Sequence, residues 1–276
     1  LAGKPLLALM LVLVLVLAYN SPRIRSRIVA SSREVGFVRT DAFSNTLLAL
    51  GLSLLLSLRG PLVMWITARL LEPQDSRSDL GLALHTALAQ GALYFWVLEF
   101  MRAVLMPKGL VAAHFRWPAQ RTELTYKRVV WLEKAFLPAL VLVLFTLALY
   151  PTEVGGALGA VGVIVLLLSV AVFFRDTPQY MQGKVSVLLG DEASAKGSIP
   201  GRVVRHLLVW VPALAVIAVL LGYSYAALTL SLLLVKTVGA FVLVFLLNEL
   251  AMRWLSIARR RMVARARVEA EHATAT

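Results

Sequence analysis

The chain has 276 residues, of which 59% are apolar, and its mean hydropathy is +0.80. Soluble domains are about 45–50% apolar, so this composition excludes a soluble globular fold and predicts a chain that has lipid as its solvent. The sequence contains no cysteine, which excludes disulfides and thiolate metal sites. The formal charge is +13, but the basic residues flank apolar runs instead of collecting on a soluble module. We therefore expect contact with anionic lipid headgroups and no nucleic acid partner.

Seven long apolar runs divide the chain, and they predict an all-α fold, a single polytopic membrane bundle of about seven transmembrane helices. The predicted spans cover residues 1–19, 43–71, 80–106, 129–150, 156–174, 203–221 and 226–254. The connections after the first, third, fifth and seventh runs, together with the run ends beside them, hold 23 of the 28 Lys and Arg residues. Because cytoplasmic loops accumulate basic residues, we expect the N-terminus on the periplasmic side and the C-terminus in the cytoplasm.

The first run, residues 6–18, is short for a bilayer core about 30 Å thick, which takes about 20 residues of helix. The chain starts with Leu and not Met, so we expect this helix to begin before residue 1. A secretory signal is the competing interpretation, since Lys4 resembles a charged start and the apolar stretch has a suitable length. Residues 18–20 do not form a small-residue cleavage site, and five arginines follow closely, which favours a span.

The second run contains Arg59 and Pro61 and predicts one tilted, kinked helix. Proline has no N–H for the carbonyl of Ser57, four residues earlier, so the kink is expected at this position. Pro212 predicts a second kink, in the sixth run. Both prolines are candidate hinges, although kinks in membrane helices are commonly static packing features.

The connection between the third and fourth runs has apolar residues at helical spacing around His114, followed by Arg116, Trp117 and Pro118. This pattern predicts a short interfacial helix at about 108–117, with Trp117 at the level of the lipid headgroups and basic residues facing water. Pro118 suits the first turn of a helix that continues into the fourth span. An ordinary connecting loop fits the same residues equally well.

Three further segments have distinctive compositions. Residues 175–201 are polar, include several Gly and Ser, and predict a mobile cytoplasmic loop. Residues 255–276 predict a basic cytoplasmic tail that binds headgroups. Early in the fifth run, Gly156, Gly159 and Gly162 predict close helix packing, since small residues let helix backbones approach in lipid.

The sequence contains none of the catalytic motifs that a membrane enzyme would need. The four histidines lie near or beyond the ends of runs, and there is no HExxH pair, glycine-rich phosphate loop or nucleophile elbow. No Asp lies at mid-depth of a run, as intramembrane aspartate catalysis would require. We therefore expect no enzyme activity and no bound cofactor or metal.

Arg59 and Lys236 fall near the estimated midplanes of their runs, where charge is costly and commonly functional. One hypothesis is a contact that changes between states, with Arg59 held by the freed Ser57 carbonyl or by a lipid phosphate. The alternative is that both side chains snorkel toward an interface or face a fixed partner on a neighbouring helix. Neither residue has an obvious acidic partner at its depth, which argues against an ion or proton relay.

Two pairs of opposite charges stand at helical spacing near the inner ends of runs. Glu99 and Arg102 are three residues apart in the third run, and Glu249 and Arg253 are four apart in the seventh. Each pair can meet on one helix face, and a local ion pair at the interface is the simplest interpretation of both.

Three stretches carry a resemblance to a known family. They are GLVAAHFRWPAQRTELTYKRVVW at 109–131, VWVPALAVIAVLLGYSYAALTL at 209–230 and RWLSIARRRMVARAR at 253–267. Together with the spacing of the runs and the basic loops, they resemble the inner-membrane domain of large multi-pass MscS-superfamily mechanosensitive channels. These are the potassium-dependent and miniconductance types of the bacterial inner membrane.

The resemblance implies a periplasmic region before this domain and, beyond residue 276, a pore helix and a cytoplasmic β domain, assembled as a homo-oligomer that is usually a heptamer. It also implies that this domain faces lipid and passes membrane tension to the pore, which protects against osmotic down-shock. The candidate lipid- and tension-coupling residues are then Arg59, Pro61, His114, Arg116, Trp117, Pro212 and Lys236. The alternatives are a secondary transporter with an anionic substrate near Arg59 and Lys236, and a seven-helix sensor or scaffold without transport.

Overall fold

The computed structural model describes residues 3–33, 42–72, 79–115, 117–150, 156–175 and 199–275. Within these residues the structure contains helices and turns and no strand, so the predicted all-α fold is confirmed. The helices are α1 (Gly3–Arg33), α2 (Phe43–Ser57), α3 (Arg59–Leu70), α4 (Asp79–Val104), α5 (Leu110–Ala113), α6 (Ala119–Leu149), α7 (Gly156–Arg175), α8 (Ile199–Leu220) and α9 (Ser224–Ala275). Most of the predicted mobile loop at 175–201 lies outside the described residues, and so does Arg116.

Six stretches of helix are long and apolar enough to cross a membrane. They are Pro5–Ser32, Phe43–Leu70, Asp79–Val104, Ala119–Leu149, Gly156–Arg175 and Ser224–Arg260. A shorter apolar helix, His206–Leu220, falls at the predicted sixth span. The described residues thus reproduce the seven predicted runs in order, while the sidedness of the bundle remains a prediction from the charge pattern.

Three helices extend well past their predicted spans. α1 passes through Pro22 and continues to Arg33, and α9 continues to Ala275. α6 begins at Ala119, beside Pro118, where the sequence predicts a helix that continues into the fourth span. The extensions of α6 and α9 contain no Gly or Pro and are rich in residues of high helix propensity, such as Ala, Arg and Glu. The predicted basic tail is therefore part of the last helix.

The second predicted span is divided at Leu58 into α2 and α3. The Leu58 N–H donates to the Leu55 carbonyl, three residues back, and the Leu62 N–H donates to the Leu58 carbonyl. Pro61 has no N–H for Ser57, so the helix is interrupted where the sequence predicts a kink. At Pro212, by contrast, α8 is continuous, and the proline ring is completely buried.

The helices pack largely in chain order. α4 contacts α6 most extensively, followed by α6 with α7, α7 with α8 and α3 with α4. α1 lies along α2 and α3, and α9 packs mainly on α8, with smaller contacts to α7 and α2. The densest part of the bundle is therefore the layer from α3 to α8, with α1 and α9 on its flanks.

The close approach of α6 and α7 depends on Gly162. A Cβ at this position would lie 2.8 Å from Val143 Cγ2 and 3.4 Å from the Ala139 carbonyl oxygen, so a larger residue would force movement. Gly156 has a different role, because it begins α7 with a φ of +58° and has open space around it. The predicted small-residue packing is confirmed at Gly162, while Gly156 begins α7 in a left-handed conformation.

A candidate coupling site at the basic end of the bundle

Three charged side chains from α4 and α6 form what we call the charge cluster: Glu99, Arg102 and Glu133. Arg25 of α1 and Arg59 of α3 lie within electrostatic range of the Glu99 carboxylate. Arg102 is at the centre of the charge cluster. Its Nη2 lies 2.8 Å from Glu99 Oε1, and its Nη1 lies 3.0 Å from both carboxylate oxygens of Glu133. The side chains of Arg102, Glu99 and Glu133 are only 22%, 10% and 13% exposed. One guanidinium therefore bridges two largely buried acids on two helices.

Glu99 and Arg102 form the predicted local ion pair within α4. Glu133, which is absent from the predicted set, extends it across the α4–α6 interface. The distances of the two acids from the ends of their helices indicate that this contact is possible. Glu99 lies about 30 Å along α4 from Asp79, and Glu133 lies about 24 Å along α6 from Leu149, at 1.5 Å per residue. The two acids therefore reach similar levels from the same end of the bundle.

Arg59 faces this cluster from α3. Arg59 and Arg25 both interact electrostatically with the Glu99 carboxylate. A Cβ at Gly60 would lie 3.4 Å from Glu99 Oε1, so the carboxylate sits beside the first turn of α3. The prediction that Arg59 has no acidic partner at its depth is thus wrong. The partner comes from the neighbouring helix, and depth estimated within one run does not reveal it.

The charge cluster can act electrostatically and mechanically. Nη1 of Arg102 donates to both oxygens of Glu133 while Nη2 contacts Glu99, so one guanidinium connects α6 to α4 through charge-assisted hydrogen bonds. Removing one partner from such a network leaves a buried charge uncompensated, which is costly. Among the described residues, no group of three or more His, Cys, Asp or Glu side chains could hold a metal ion. The arrangement therefore supports a structural role, in which the charge cluster holds α4 and α6 together.

The α5 segment, residues 109–118, is the second part of the site. Its helix has only four residues. The buried members of the segment are Leu110, Val111, His114, Phe115 and Trp117. Trp117 is covered by protein and is 6% exposed, and its position at the level of the lipid headgroups stays a prediction. The apolar residues at helical spacing pack against α2, α6 and α9, so the segment forms part of the core.

His114 lies between two helices and is 2% exposed. Its Nε2 lies 3.4 Å from Ser31 Oγ on α1, and its Nδ1 lies 3.1 Å from Thr46 Oγ1 on α2. The Ser31 hydroxyl already donates to the Ile28 carbonyl at 2.7 Å, so it is free to accept from an Nε2–H. That tautomer leaves Nδ1 as an acceptor for the Thr46 hydroxyl. His114 thereby joins the end of α1 to the start of α2.

Trp117 joins the same segment to α9. Its ring and that of Phe245 have centroids 5.6 Å apart and planes at 69°, which is an edge-to-face contact. Leu246 and Leu250 of α9 pack against the same apolar cluster. The α5 segment therefore contacts α1, α2 and α9 at once.

The other predicted residues lie apart from these contacts. Lys236 is exposed on α9. Glu249 and Arg253 are both buried, 7% and 5% exposed, and their ion pair stays a prediction. Arg59 and Lys236 are on α3 and α9, which are not among the helix pairs that pack extensively in the described part of the chain.

Comparison with known proteins identifies the family. Residues 5–276 match the family model described as mechanosensitive ion channel inner membrane domain 1. The chain is 25% identical over 232 residues to the miniconductance mechanosensitive channel MscM of Escherichia coli strain K12, an alignment that covers 84% of this chain and 20% of that protein. The chain thus spans about a fifth of the length of this relative. No solved structure matches the chain.

The family model covers all three stretches that carry the predicted resemblance, and it describes an inner-membrane domain of an ion channel. The predicted inner-membrane location agrees with it, since the described helices include six apolar spans. The chain therefore belongs to the mechanosensitive ion channel inner membrane domain 1 family.

Proposed function

We propose that this domain senses membrane tension at its lipid-facing flanks and passes it, through the α5 segment, to a pore elsewhere in the subunit. The observation that carries the proposal is that residues 109–118 contact α1, α2 and α9 together. A rearrangement of the first helices thus has a direct route of packed side chains to the last one. The charge cluster serves as the stiff support against which these helices move.

The flanks of the bundle offer the surface on which tension acts. The apolar run of α1 exposes large side chains that include Leu9, Val12 and Leu15, and α9 exposes Leu243, Val244 and Leu247. Side chains of this kind are stable in lipid and not in water. Tension favours conformations that occupy more membrane area, so helices with wide lipid contact and few protein contacts are the ones it moves first.

The interruption at Leu58 supplies a hinge within the proposed route. α2 is connected to the α5 segment through Thr46, whereas α3 faces the charge cluster through Arg59. Bending at Leu58 and Pro61 would let α2 move with α1 while α3 stays with α4. We also propose, from the family resemblance, that the domain works in a homo-oligomer, as a heptamer, and that its function is protection against osmotic down-shock.

Patch-clamp recording of the full-length protein in channel-deleted cells tests this proposal. We expect a pressure-activated current whose threshold rises in Trp117→Ala and His114→Ala, because each variant removes a contact on the route. Trp210→Ala is the matched control, since Trp210 is 60% exposed on α8 and its removal should leave the threshold unchanged. A channel with no pressure-activated current, or the same threshold in all variants, would overturn the proposal.

The transporter hypothesis requires Arg59 and Lys236 to converge on one substrate. Their helices do not pack extensively, and Lys236 is exposed, so the described structure offers no observation in its favour. The transporter hypothesis would be supported if the protein took up an anionic solute, if Arg59→Ala abolished this uptake, and if no pressure-activated current were recorded.

A further inference from the structure

A pocket of about 520 Å³ lies beside the basic end of α1. Its walls are Arg25, Ser26, Arg27, Val29, Ala30 and Met106. The first five belong to consecutive turns of α1, and Met106 comes from the turn that follows α4. Two guanidinium groups and three apolar side chains therefore line the same pocket.

The helix geometry places the two arginines on either side of Ser26. Successive residues of an α-helix are about 100° apart, so Arg25 and Arg27 flank the Ser26 position from opposite sides. The Ser26 hydroxyl donates to the Arg23 carbonyl at 2.8 Å, so the hydrogen-bond donors for a ligand are the guanidinium groups. Ala30 lies one turn beyond Ser26 and leaves space between them.

These two guanidinium groups are available to a ligand. Arg23 is occupied, since it donates to Asn20 Oδ1 at 3.3 Å and lies over the Tyr19 ring. Arg25 and Arg27 form no ion pair with any described residue. Arg25 interacts electrostatically with the Glu99 carboxylate, but that carboxylate is already paired with Arg102 at 2.8 Å. The pocket thus keeps a net positive charge.

The depth of the pocket matches the phosphate layer of a bilayer. Tyr19 follows the apolar run and is exposed, as expected of an aromatic residue at the interface. Arg25 lies about 9 Å beyond Tyr19 along the helix, and the headgroup layer extends about 5–8 Å beyond the hydrocarbon core. The arginine side chain is long enough for its guanidinium group to reach back into the headgroup layer.

We propose that this pocket binds a phosphate group, held by Arg25 and Arg27 through charge-assisted hydrogen bonds, with Val29, Ala30 and Met106 against the apolar part of the molecule that carries it. Guanidinium groups bind phosphate oxygens in a fixed fork, and two of them around one anion make a defined site. The phosphate can belong to an anionic phospholipid or be free in solution. Binding at this pocket is measured without applied tension, so its test does not depend on the proposed tension transmission.

Native mass spectrometry of the detergent-purified full chain, with added phosphatidylglycerol, tests the lipid source, and equilibrium dialysis with labelled inorganic phosphate tests the free anion. We expect retained phosphatidylglycerol in the wild type and an apparent Kd about 10–30-fold higher in the Arg25→Gln/Arg27→Gln variant. Arg69→Gln/Lys127→Gln removes the same charge from two exposed positions outside the pocket and should bind like the wild type. Ala30→Leu keeps both charges, fills the pocket and should also lose binding.

The two arms separate the sources of the phosphate. Phosphatidylglycerol retained by the wild type and lost in both pocket variants supports a lipid headgroup. Inorganic phosphate bound by the wild type and lost in the same variants, without lipid retention, supports a free anion. Binding of neither probe, or equal binding by the wild type and both pocket variants, overturns the proposal. Circular dichroism of each variant shows whether its helices are intact.

Discussion

α7 and α9 are both strongly apolar helices, yet protein surrounds them to very different degrees. In the most apolar 18-residue window of each, 44% of α7 is buried, whereas only 6% of the described window of α9 is. α7 lies between α6 and α8 in the densest layer, and α9 touches the bundle mainly along α8 and at Phe245. Hydrophobicity therefore does not show which helices form the core of a membrane bundle, because lipid and protein accept the same side chains.

The difference between these regions has a functional meaning. Helices held by many contacts respond to force as one body, while helices with few contacts move at low cost. The layer from α3 to α8 has the charge cluster and the close glycine packing, and α9 has neither in the described residues. We expect the core layer to be sensitive to substitution and α9 to be tolerant. Of the three experiments that follow, the paired glycine substitutions compare the two regions directly, and the other two test contacts elsewhere in the bundle.

The largest effect is expected from Arg102→Ala in the charge cluster. The Glu99 and Glu133 carboxylates would face each other without their shared cation, and breaking a buried ion network costs about 3–5 kcal/mol. The free energy of unfolding, measured by denaturant titration in detergent micelles, should fall by this amount. Lys127→Ala is the control, because Lys127 pairs with Glu123 at 2.8 Å on an exposed face of α6 and should change little. Equal losses in both variants would show that burial of the cluster adds nothing.

A smaller effect is expected when the same substitution is made in the two regions. The new Cβ of Gly162→Ala would meet Val143 Cγ2 at 2.8 Å, and overpacking of this kind costs about 1–3 kcal/mol. Gly239→Ala in α9 meets no atom within 4 Å and removes a poor helix former, so its effect should be neutral or stabilising. The free energy of unfolding in detergent micelles measures the effect of each substitution. A neutral Gly162→Ala would mean that α6 and α7 separate easily.

The smallest effect is expected at the connection between α1 and α2. Thr46→Val keeps the shape of the side chain and deletes the hydroxyl that lies 3.1 Å from His114 Nδ1, which should cost about 1 kcal/mol. Hydrogen exchange at residues 24–33 of α1 should become faster. Thr67→Val is the control, since the exposed Thr67 hydroxyl bonds only within its own helix, to the Val63 carbonyl at 2.9 Å. Unchanged exchange in Thr46→Val would argue against His114 as a connection between helices.

The parts of this fold that follow from the sequence are those set by one helix at a time. Run length and hydropathy predict the spans, Pro61 predicts the interruption near Leu58, and the three-residue spacing predicts Glu99 beside Arg102. These features depend on geometry within a single helix.

What the sequence does not reveal depends on two helices meeting at a particular rotation and height. Glu133 reaches Arg102 because α4 and α6 pack against each other with these two turns facing across the interface. Tryptophan is a residue type that is common at membrane interfaces. The burial of Trp117 depends on its contact with Phe245 of α9, which the sequence does not reveal. Arg59 gains its acidic neighbour in the same way, from a turn of α4 forty residues later.

The length of α9 has a geometric consequence. Its 52 residues span about 78 Å at 1.5 Å per residue, so more than half of the helix extends past a hydrocarbon core of about 30 Å. As a rigid rod pivoting at the end that starts with Ser224, it would move its far end by about 7 Å for a tilt of about 5°. A change in angle too small to disturb the packing of the bundle would thus become a displacement larger than a helix radius at the other end of the rod.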